Sequence, residues 1–139
     1  MSDRGDGRFA IYTVRPDGSH TRRLSPEGVQ AGEPAWSPDG REIAFEDEAC
    51  GTCEESDLFV MDANGRHLRQ LTNTSSNEVT SDWSPEGDWL SLELDEVVGG
   101  TFGFADVAII NDDGGIVLDI TQSSTVNDFG AAWRPTPAN

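Results

Sequence analysis

The chain has 139 residues, nine of them basic and 26 acidic, which gives a formal net charge of −17. This charge excludes an autonomous nucleic-acid binder, because phosphate contacts need a basic surface and the nine basic residues are arginines scattered among carboxylates. Attachment to anionic membranes is excluded for the same reason, and no apolar run approaches the ~20 residues that span a bilayer. The composition predicts a soluble domain with an acidic surface.

Three sequence markers recur along the chain in one order and with one period. The first is a tryptophan, and its copies Trp36, Trp83 and Trp133 stand 47 and 50 residues apart. The second is a turn glycine, at Gly18, Gly65 and Gly114, and the third is the pair Leu24-Ser25, Leu71-Thr72 or Ile120-Thr121. Three markers with a common period predict repeated copies of one supersecondary unit.

Each unit is predicted to contain four short antiparallel strands. The first strand runs into the tryptophan and ends at Ser37-Pro38-Asp39-Gly40, a sequence typical of a type I turn. The second strand alternates apolar and polar residues, at 42–46 and 89–94. The third strand, at 10–14, 58–61 and 107–110, is rich in residues that favour strands. An Asp-Gly or Asn-Gly hairpin then leads into the fourth strand. Because no segment has a helical period, the sequence predicts an all-β fold.

The repeat also resembles a known family. The string Trp-Ser-Pro-Asp-Gly-Arg-Glu-Ile-Ala-Phe at 36–45, followed by 58–65 and Arg69-Gln70-Leu71-Thr72, resembles the repeat of TolB-like β-propellers. The same repeat occurs in the propeller domains of prolyl oligopeptidase-type proteases. The resemblance covers nearly the whole chain and implies four-stranded propeller blades. The last copy departs from it, because Arg134-Pro135-Thr136 replaces Ser-Pro-Asp.

The predicted blades do not form a complete propeller. The markers give a half blade at 9–25, full blades at 33–72 and 80–121, and the first strand of a further blade at 130–137. A closed propeller needs at least about four blades, so one copy of this chain is predicted to be a partial propeller. Two interpretations stay open: the chain is a fragment of a larger propeller, or two copies assemble head to tail into a ring of about six blades.

In propellers the first strand of each blade lines the central channel, so residues shortly before each tryptophan are candidates for ligand binding at the channel mouth. Counting back from the tryptophans gives Glu33, Glu78 and Asp128 as candidate ligand-binding residues. Their acidity predicts a cationic ligand or a basic peptide. The tryptophans recur once per blade, so Trp36, Trp83 and Trp133 are predicted to be structural and to fill the space between blades.

Two loops add further candidates. A glycine-containing loop at 97–104 is predicted to expose Val97, Val98, Phe102 and Phe104, either as a contact for a partner or folded back on its own blade. Cys50 and Cys53 lie in an acidic loop and predict either a small disulfide in an oxidising compartment or two reduced thiols. The chain is expected in the periplasm, in the cell envelope or outside the cell.

The sequence predicts a non-enzymatic protein. It has no Gly-x-Ser-x-Gly elbow, and its two histidines occupy equivalent positions that begin an outer strand. No metal site or other cofactor is predicted, although Ca²⁺ is the best candidate ion for the acidic loops. The expected function is a protein-binding or scaffold module with a protein or peptide partner. The alternatives are the substrate-gating propeller of a prolyl oligopeptidase-like hydrolase and a self-assembling partial propeller.

Overall fold

The structure, a computed structural model, describes residues 9–47, 55–98, 101–115 and 117–135. These residues form strands and turns, and none of them forms a helix that could cross a membrane. The strands are β1 (Tyr12–Thr13), β2 (Arg22–Arg23), β3 (Ala31–Trp36), β4 (Glu42–Asp47), β5 (Asp57–Asp62), β6 (Arg69–Gln70), β7 (Asn77–Trp83), β8 (Trp89–Val98), β9 (Thr101–Asn111) and β10 (Val117–Asp119). The all-β prediction is confirmed.

The strands form three antiparallel sheets in chain order. The first sheet contains β1 and β2, the second has the order β3-β4-β5-β6, and the third has the order β7-β8-β9-β10. Strands that are consecutive in the sequence are neighbours in each sheet, as in the blades of a propeller. The described residues therefore form a partial propeller with one two-stranded and two four-stranded sheets.

A serine fixes the hairpin after the first strand of each full sheet. The Ser37 Oγ accepts a hydrogen bond from the Glu42 N–H at 2.9 Å and donates one to Asp39 Oδ1 at 2.8 Å. The turn closes where the Gly40 N–H donates to the Ser37 carbonyl at 2.9 Å. Ser84 repeats the arrangement by accepting from the Trp89 N–H at 3.1 Å. The predicted turn is confirmed in both sheets.

The third marker supplies an equally regular hydrogen bond. In the second sheet the Thr72 hydroxyl accepts from the Leu58 N–H at 2.8 Å. The equivalent Ser25 and Thr121 hydroxyls accept from the amides of Ile11 and Val107, at 3.1 and 3.0 Å. The amides of Leu58 and Val107 lie within the third strand of their sheets, and that of Ile11 directly precedes β1. Those of Ile11 and Leu58 are in buried hydrogen bonds, where a donor needs a partner. The marker is therefore a hydrogen-bonding position rather than only an apolar one.

The apolar core lies between consecutive sheets, in contacts that we call seams. Ile11 and Leu24 of the first sheet pack against Ile43, Phe45 and Met61 of the second. The second seam joins the second and third sheets, and its buried residues are Ala44, Leu58, Val60, Leu71, Trp83, Leu90, Leu92, Ala108 and Ile110. Since each seam needs two sheets, neither full sheet is an independent folding unit in this arrangement.

The three tryptophans differ in their burial. Trp83 is only 4% exposed, and its indole N–H donates to the Ala35 carbonyl of the preceding sheet at 3.1 Å. The half-buried Trp133 repeats this bond to the Asp82 carbonyl at 3.3 Å. Trp36, in contrast, is 50% exposed, because the first sheet has only the third and fourth strands of a blade in the described residues. Among the residues that the structure describes, none forms a first strand in that sheet that would supply an acceptor carbonyl for Trp36.

The segment at 97–104 was predicted as a loop, and this expectation is wrong for its described residues. Val97 pairs with Phe102 and Val98 pairs with Thr101, so β8 and β9 extend as a hairpin. β-Branched and aromatic residues suit the pleated ladder, which explains the extension. Phe104 is exposed on β9, whereas the side chains of Val97, Val98 and Phe102 lie outside what the structure describes. Their proposed contact with a partner stays a prediction.

Two other expectations fall at the limits of the described chain. Cys50 and Cys53 lie outside the described residues, so the alternative of disulfide or thiols stays open. Residues 130–135 are described but form no strand, although a first strand was expected there. A strand requires a hydrogen-bonded neighbour, and no described residue occupies the second-strand position beside this segment.

Candidate functional site

Carboxylates collect along one edge of the second and third sheets. β4 ends at Asp47, which is the cross-strand partner of Asp57 at the start of β5. In the third sheet Asn77 pairs with Asp95, and Glu78 follows directly on β7. The same edge continues at Asp106 on β9 and at Asp128. We call this set the acidic edge, and its members are Asp47, Asp57, Glu78, Asp95, Asp106 and Asp128.

The order of the antiparallel strands places the residues of the acidic edge at one end of the sheets. In an antiparallel sheet the start of the first strand, the end of the second and the start of the third meet at one edge. The two sheets are joined at this edge because Ser56 and Asn77 form a parallel bridge and the Glu78 N–H donates to the Ser56 carbonyl at 3.0 Å. The Asp128 N–H repeats the contact with the Ala105 carbonyl at 2.7 Å.

Glu78 is buried in the second seam, where only 1% of it is exposed. Its Oε2 accepts from the Thr72 hydroxyl at 3.1 Å, and its Oε1 accepts from the Thr74 hydroxyl. Burial raises the pKa of the Glu78 carboxyl above its ordinary value, against the opposing effect of the two threonine hydroxyls. The nearby Asp57 carboxylate raises this pKa further. Ionised Glu78 is therefore stabilised less well here than in water.

Asp47 shares this electrostatic environment. Its Oδ1 accepts from the Gln30 N–H at 2.9 Å, and the side chain is buried. Burial is the main cause that raises the pKa of Asp47, and the Asp57 carboxylate adds to the effect. Asp57 thus lies between two carboxyl groups whose ionised forms are disfavoured. A cation at this edge would stabilise the ionised carboxylates of Asp47, Asp57 and Glu78.

Asp57 and Asp106 are equivalent residues that the sequence analysis did not identify. Asp57 accepts from the Thr74 N–H at 3.2 Å and from the Gln70 side-chain amide at 2.8 Å. Asp106 accepts from the Ser123 N–H at 2.6 Å and from the Thr121 hydroxyl at 2.9 Å. Both aspartates anchor the segment after the fourth strand. Each aspartate precedes the threonine of the third marker by 15 residues, and this common spacing in the sequence could have revealed them.

The three predicted channel-mouth residues occupy different environments. Glu33 is exposed at a bulge between Gly32 and Ala35, with a φ of +40°. It is not equivalent to Glu78, because the residue five positions before Trp36 is the buried Ala31. Asp128 is half-buried. No described hydrogen bond joins these three carboxylates, and their ligand-binding role stays a prediction.

The opposite end of the sheets carries hairpin turns and compensated charges. An open cleft of ≈ 760 Å³ lies there, lined in part by Arg22, Asp39, Arg41 and Asn64. The Arg41 guanidinium lies 3.4 Å from Asp39, and Arg22 donates to the Asn64 carbonyl. In the described ranges, no group of three or more His, Cys, Asp or Glu side chains is arranged to hold a metal ion.

Comparison with known proteins supports the fold. No family model matches the chain. A relative, the uncharacterized peptidase YuxL of Bacillus subtilis (strain 168), is 36% identical over 82 residues, which are 56% of this chain and 11% of that protein. The chain therefore spans only a small part of this relative.

Solved structures share the architecture. A TolB-like protein of Agrobacterium tumefaciens matches with a TM-score of 0.66 and 23% identity, over 79% of this chain and 40% of that one. TolB of Acinetobacter baumannii matches with a TM-score of 0.60 and 22% identity, over 83% of this chain and 27% of that one. The predicted resemblance to TolB-like propellers is confirmed at the level of the fold.

Proposed function

We propose that this chain is a non-catalytic protein-binding module whose acidic edge receives a basic segment of a protein or peptide partner. The observation that carries the proposal is the concentration of six carboxylates on one edge of two adjoining sheets. The arginines Arg15, Arg41 and Arg66 lie beside hairpin turns at the other end. A partner that approaches the acidic edge therefore meets predominantly negative charge.

The electrostatics of the edge favour a cationic partner. The raised pKa values of Glu78 and Asp47 show that ionisation there is opposed by burial and by neighbouring charge. A lysine or arginine side chain near Asp57 would lower these pKa values and stabilise the ionised forms. Complementary charge also accelerates association and gives it a strong dependence on salt. Nucleic acid is not a partner of this surface, because both would be anionic.

The proposed location is the periplasm, the cell envelope or the extracellular space. It rests on the likeness in fold to TolB proteins and on the two closely spaced cysteines, Cys50 and Cys53. A disulfide between them is proposed because such bonds persist in oxidising compartments. Mass spectrometry of the alkylated, unreduced protein tests this: two alkylated cysteines would rule out the bond.

Peptide titrations test the function. A fluorescently labelled peptide rich in arginine and lysine is titrated with the protein at low and at physiological salt, and its anisotropy is followed. The variant Asp95→Asn/Asp128→Asn removes two charges from half-buried positions of the acidic edge. The matched control Glu86→Gln/Asp88→Asn removes two exposed charges from the hairpin at the other end.

We expect the edge variant to bind the peptide ~3–10-fold more weakly than the wild type, because each lost rim charge contributes a fraction of a kcal/mol or more. The control variant should bind like the wild type. Equal weakening by both variants would mean that the peptide responds only to net charge. No binding by the wild type at low salt would remove the proposal altogether.

The peptidase relative favours a second candidate function. The identity of 36% with YuxL over 82 residues is compatible with a propeller that gates substrate access in a hydrolase of the prolyl oligopeptidase type. In that case the catalytic residues would belong to a separate hydrolase domain. The coding sequence on both sides of this segment tests the candidate. A neighbouring segment with a Gly-x-Ser-x-Gly elbow would favour it, and an absence of such a segment from the same reading frame would exclude it.

A further inference from the structure

The second and third sheets differ at one hydrogen bond of the acidic edge. In the second sheet, the Gln70 side-chain amide donates to Asp57 Oδ2 at 2.8 Å. The residues at the same two positions of the third sheet are Asp119 and Asp106. Asp119 is equivalent to Gln70 because each precedes the threonine of the third marker by two residues. The third sheet therefore has a second carboxylate where the second sheet has the donor of this bond.

This replacement leaves a buried carboxylate oxygen without a donor. Asp106 is only 9% exposed. Its Oδ1 accepts from the Ser123 N–H and the Thr121 hydroxyl, at 2.6 and 2.9 Å, but no described residue donates to its Oδ2. Asp119 Oδ1 accepts from the Gln122 N–H at 3.2 Å. A buried charged oxygen is stabilised by a hydrogen-bond donor or a cation, so Asp106 Oδ2 indicates a ligand that supplies one.

Both carboxylates line one cavity, which we call the edge cavity. Its volume is ≈ 390 Å³, and its lining includes Asp106, Asp119, Phe104 and residues 122–124. This volume lies within the range of pockets that hold small ligands. None of the ion pairs between described side chains includes either aspartate. Two carboxylates in a cavity without a basic lining residue favour a cationic occupant.

An exposed aromatic ring completes the edge cavity. Phe104 is 44% exposed and lies where the register between β8 and β9 shifts. Such bulges re-aim side chains. The corresponding residue of the second sheet, two positions before Asp57, is Glu55. The faces of aromatic rings attract cations, and arginine guanidinium groups most often of all. The third sheet thus combines a ring and two carboxylates at positions where the second sheet has neither the ring nor the carboxylate pair.

We propose that the edge cavity binds one arginine side chain of the basic partner segment, with the guanidinium beside Asp106 and Asp119 and against the Phe104 ring. Arginine fits better than lysine because its planar group has five N–H donors, binds carboxylates through two bonds and stacks on aromatic rings. The lysine ammonium is a compact and strongly hydrated charge. This inference rests on the proposed function, because it names the cationic group that the acidic edge selects.

Two labelled peptides of equal length and charge test the selection. One contains arginines, and the other contains lysines at the same positions. Fluorescence anisotropy at physiological salt measures Kd for each peptide with the 139-residue chain. We expect the arginine peptide to bind ~5–10-fold more tightly, because it adds a cation–π contact and a bidentate hydrogen bond.

The two proposals fail in different ways in this assay. Equal binding of the arginine and lysine peptides would overturn the arginine cavity and would leave the acidic edge as a general site for basic segments. Binding of neither peptide, even at low salt, would overturn both proposals.

Two variants locate the preference in the edge cavity. Asp119→Gln installs the amide that the second sheet has at Gln70, which can donate to Asp106 in place of the ligand. Phe104→Leu keeps an apolar side chain and every charge but removes the ring. Each variant should reduce the preference for arginine to ~2-fold or less. A preference retained in either variant would overturn the assignment.

The matched control is Asp95→Asn, which removes one charge from the acidic edge outside the cavity lining. It should weaken both peptides by a similar factor and keep the preference for arginine. Loss of the preference in this control would show that it depends on overall charge, which would also overturn the arginine cavity. Far-UV circular dichroism of the three variants should match the wild type, because the substituted side chains are exposed or half-buried.

Discussion

The turn glycines provide the sharpest test of the seams. Gly114→Ala places a Cβ 2.7 Å from the Leu71 carbonyl oxygen, which is closer than real Cβ contacts allow. It also forces an L-residue into a φ of +78°. Gly18→Ala has almost the same φ, +80°, but no neighbouring atom. The two substitutions therefore share the cost of the left-handed backbone and differ by the collision with the neighbouring sheet.

The expected magnitudes follow from these two contributions. The left-handed conformation costs an L-residue about 1–2 kcal/mol, which applies to both variants. Forcing extra atoms into a packed contact costs about 1–3 kcal/mol more, and this cost applies to Gly114→Ala alone. The free energy of unfolding should thus fall about 1–3 kcal/mol more for Gly114→Ala than for Gly18→Ala.

Urea unfolding, followed by tryptophan fluorescence, measures this difference. Gly65→Ala, which meets the Leu24 carbonyl at 2.8 Å, should behave like Gly114→Ala. Equal losses of stability at Gly18 and Gly114 would refute the close approach of the turn to the neighbouring sheet.

Three further predictions address the tryptophan, the threonine and the buried glutamate. Trp83→Ala should lower the free energy of unfolding by about 3–5 kcal/mol, because it empties a buried seam position. Trp36→Ala should cost clearly less, because Trp36 is half exposed, and similar losses of the two variants in urea unfolding would contradict the seam assignment. Thr72→Val should cost about 1–3 kcal/mol by leaving the Leu58 N–H without its acceptor, and hydrogen exchange should report faster exchange of that amide. Burial raises the pKa of Glu78 above its ordinary value of 4.5. The folded state therefore binds the proton of this carboxyl more tightly than the unfolded state does. The stability of the wild type relative to Glu78→Gln should therefore fall as pH rises above 4.5 and then level off; a constant difference from acid to neutral pH would show that Glu78 ionises freely.

The repeat by itself determined the local structure. Ser37-Pro38-Asp39-Gly40 contains its own hydrogen-bonding groups, so the turn follows from four adjacent residues. The third marker likewise recurs directly after the fourth strand of each unit, at Leu24-Ser25, Leu71-Thr72 and Ile120-Thr121. These features depend on short stretches of backbone, which is why sequence patterns were sufficient to predict the strand order and the propeller blades.

Burial at equivalent positions was decided only by the tertiary structure. Trp36 and Trp83 have nearly identical local sequences, yet one is half exposed and the other is buried. The difference arises from the neighbouring sheet, which has two strands beside Trp36 and four beside Trp83. A pattern of residues within one unit contains no information about how many strands the preceding unit contributes to the seam.

The acidic residues show the same division. The sequence predicted that Glu33, Glu78 and Asp128 approach an acidic channel mouth, because they precede the tryptophans. The structure buries Glu78 between two threonines that follow the second sheet and leaves Glu33 exposed at a bulge, and the role of the three residues in binding stays a prediction. It also places Asp57 and Asp106 beside the same edge. Sequence determined which residues repeat, whereas packing between sheets determined which carboxylates lose water, because desolvation depends on neighbours that are distant along the chain.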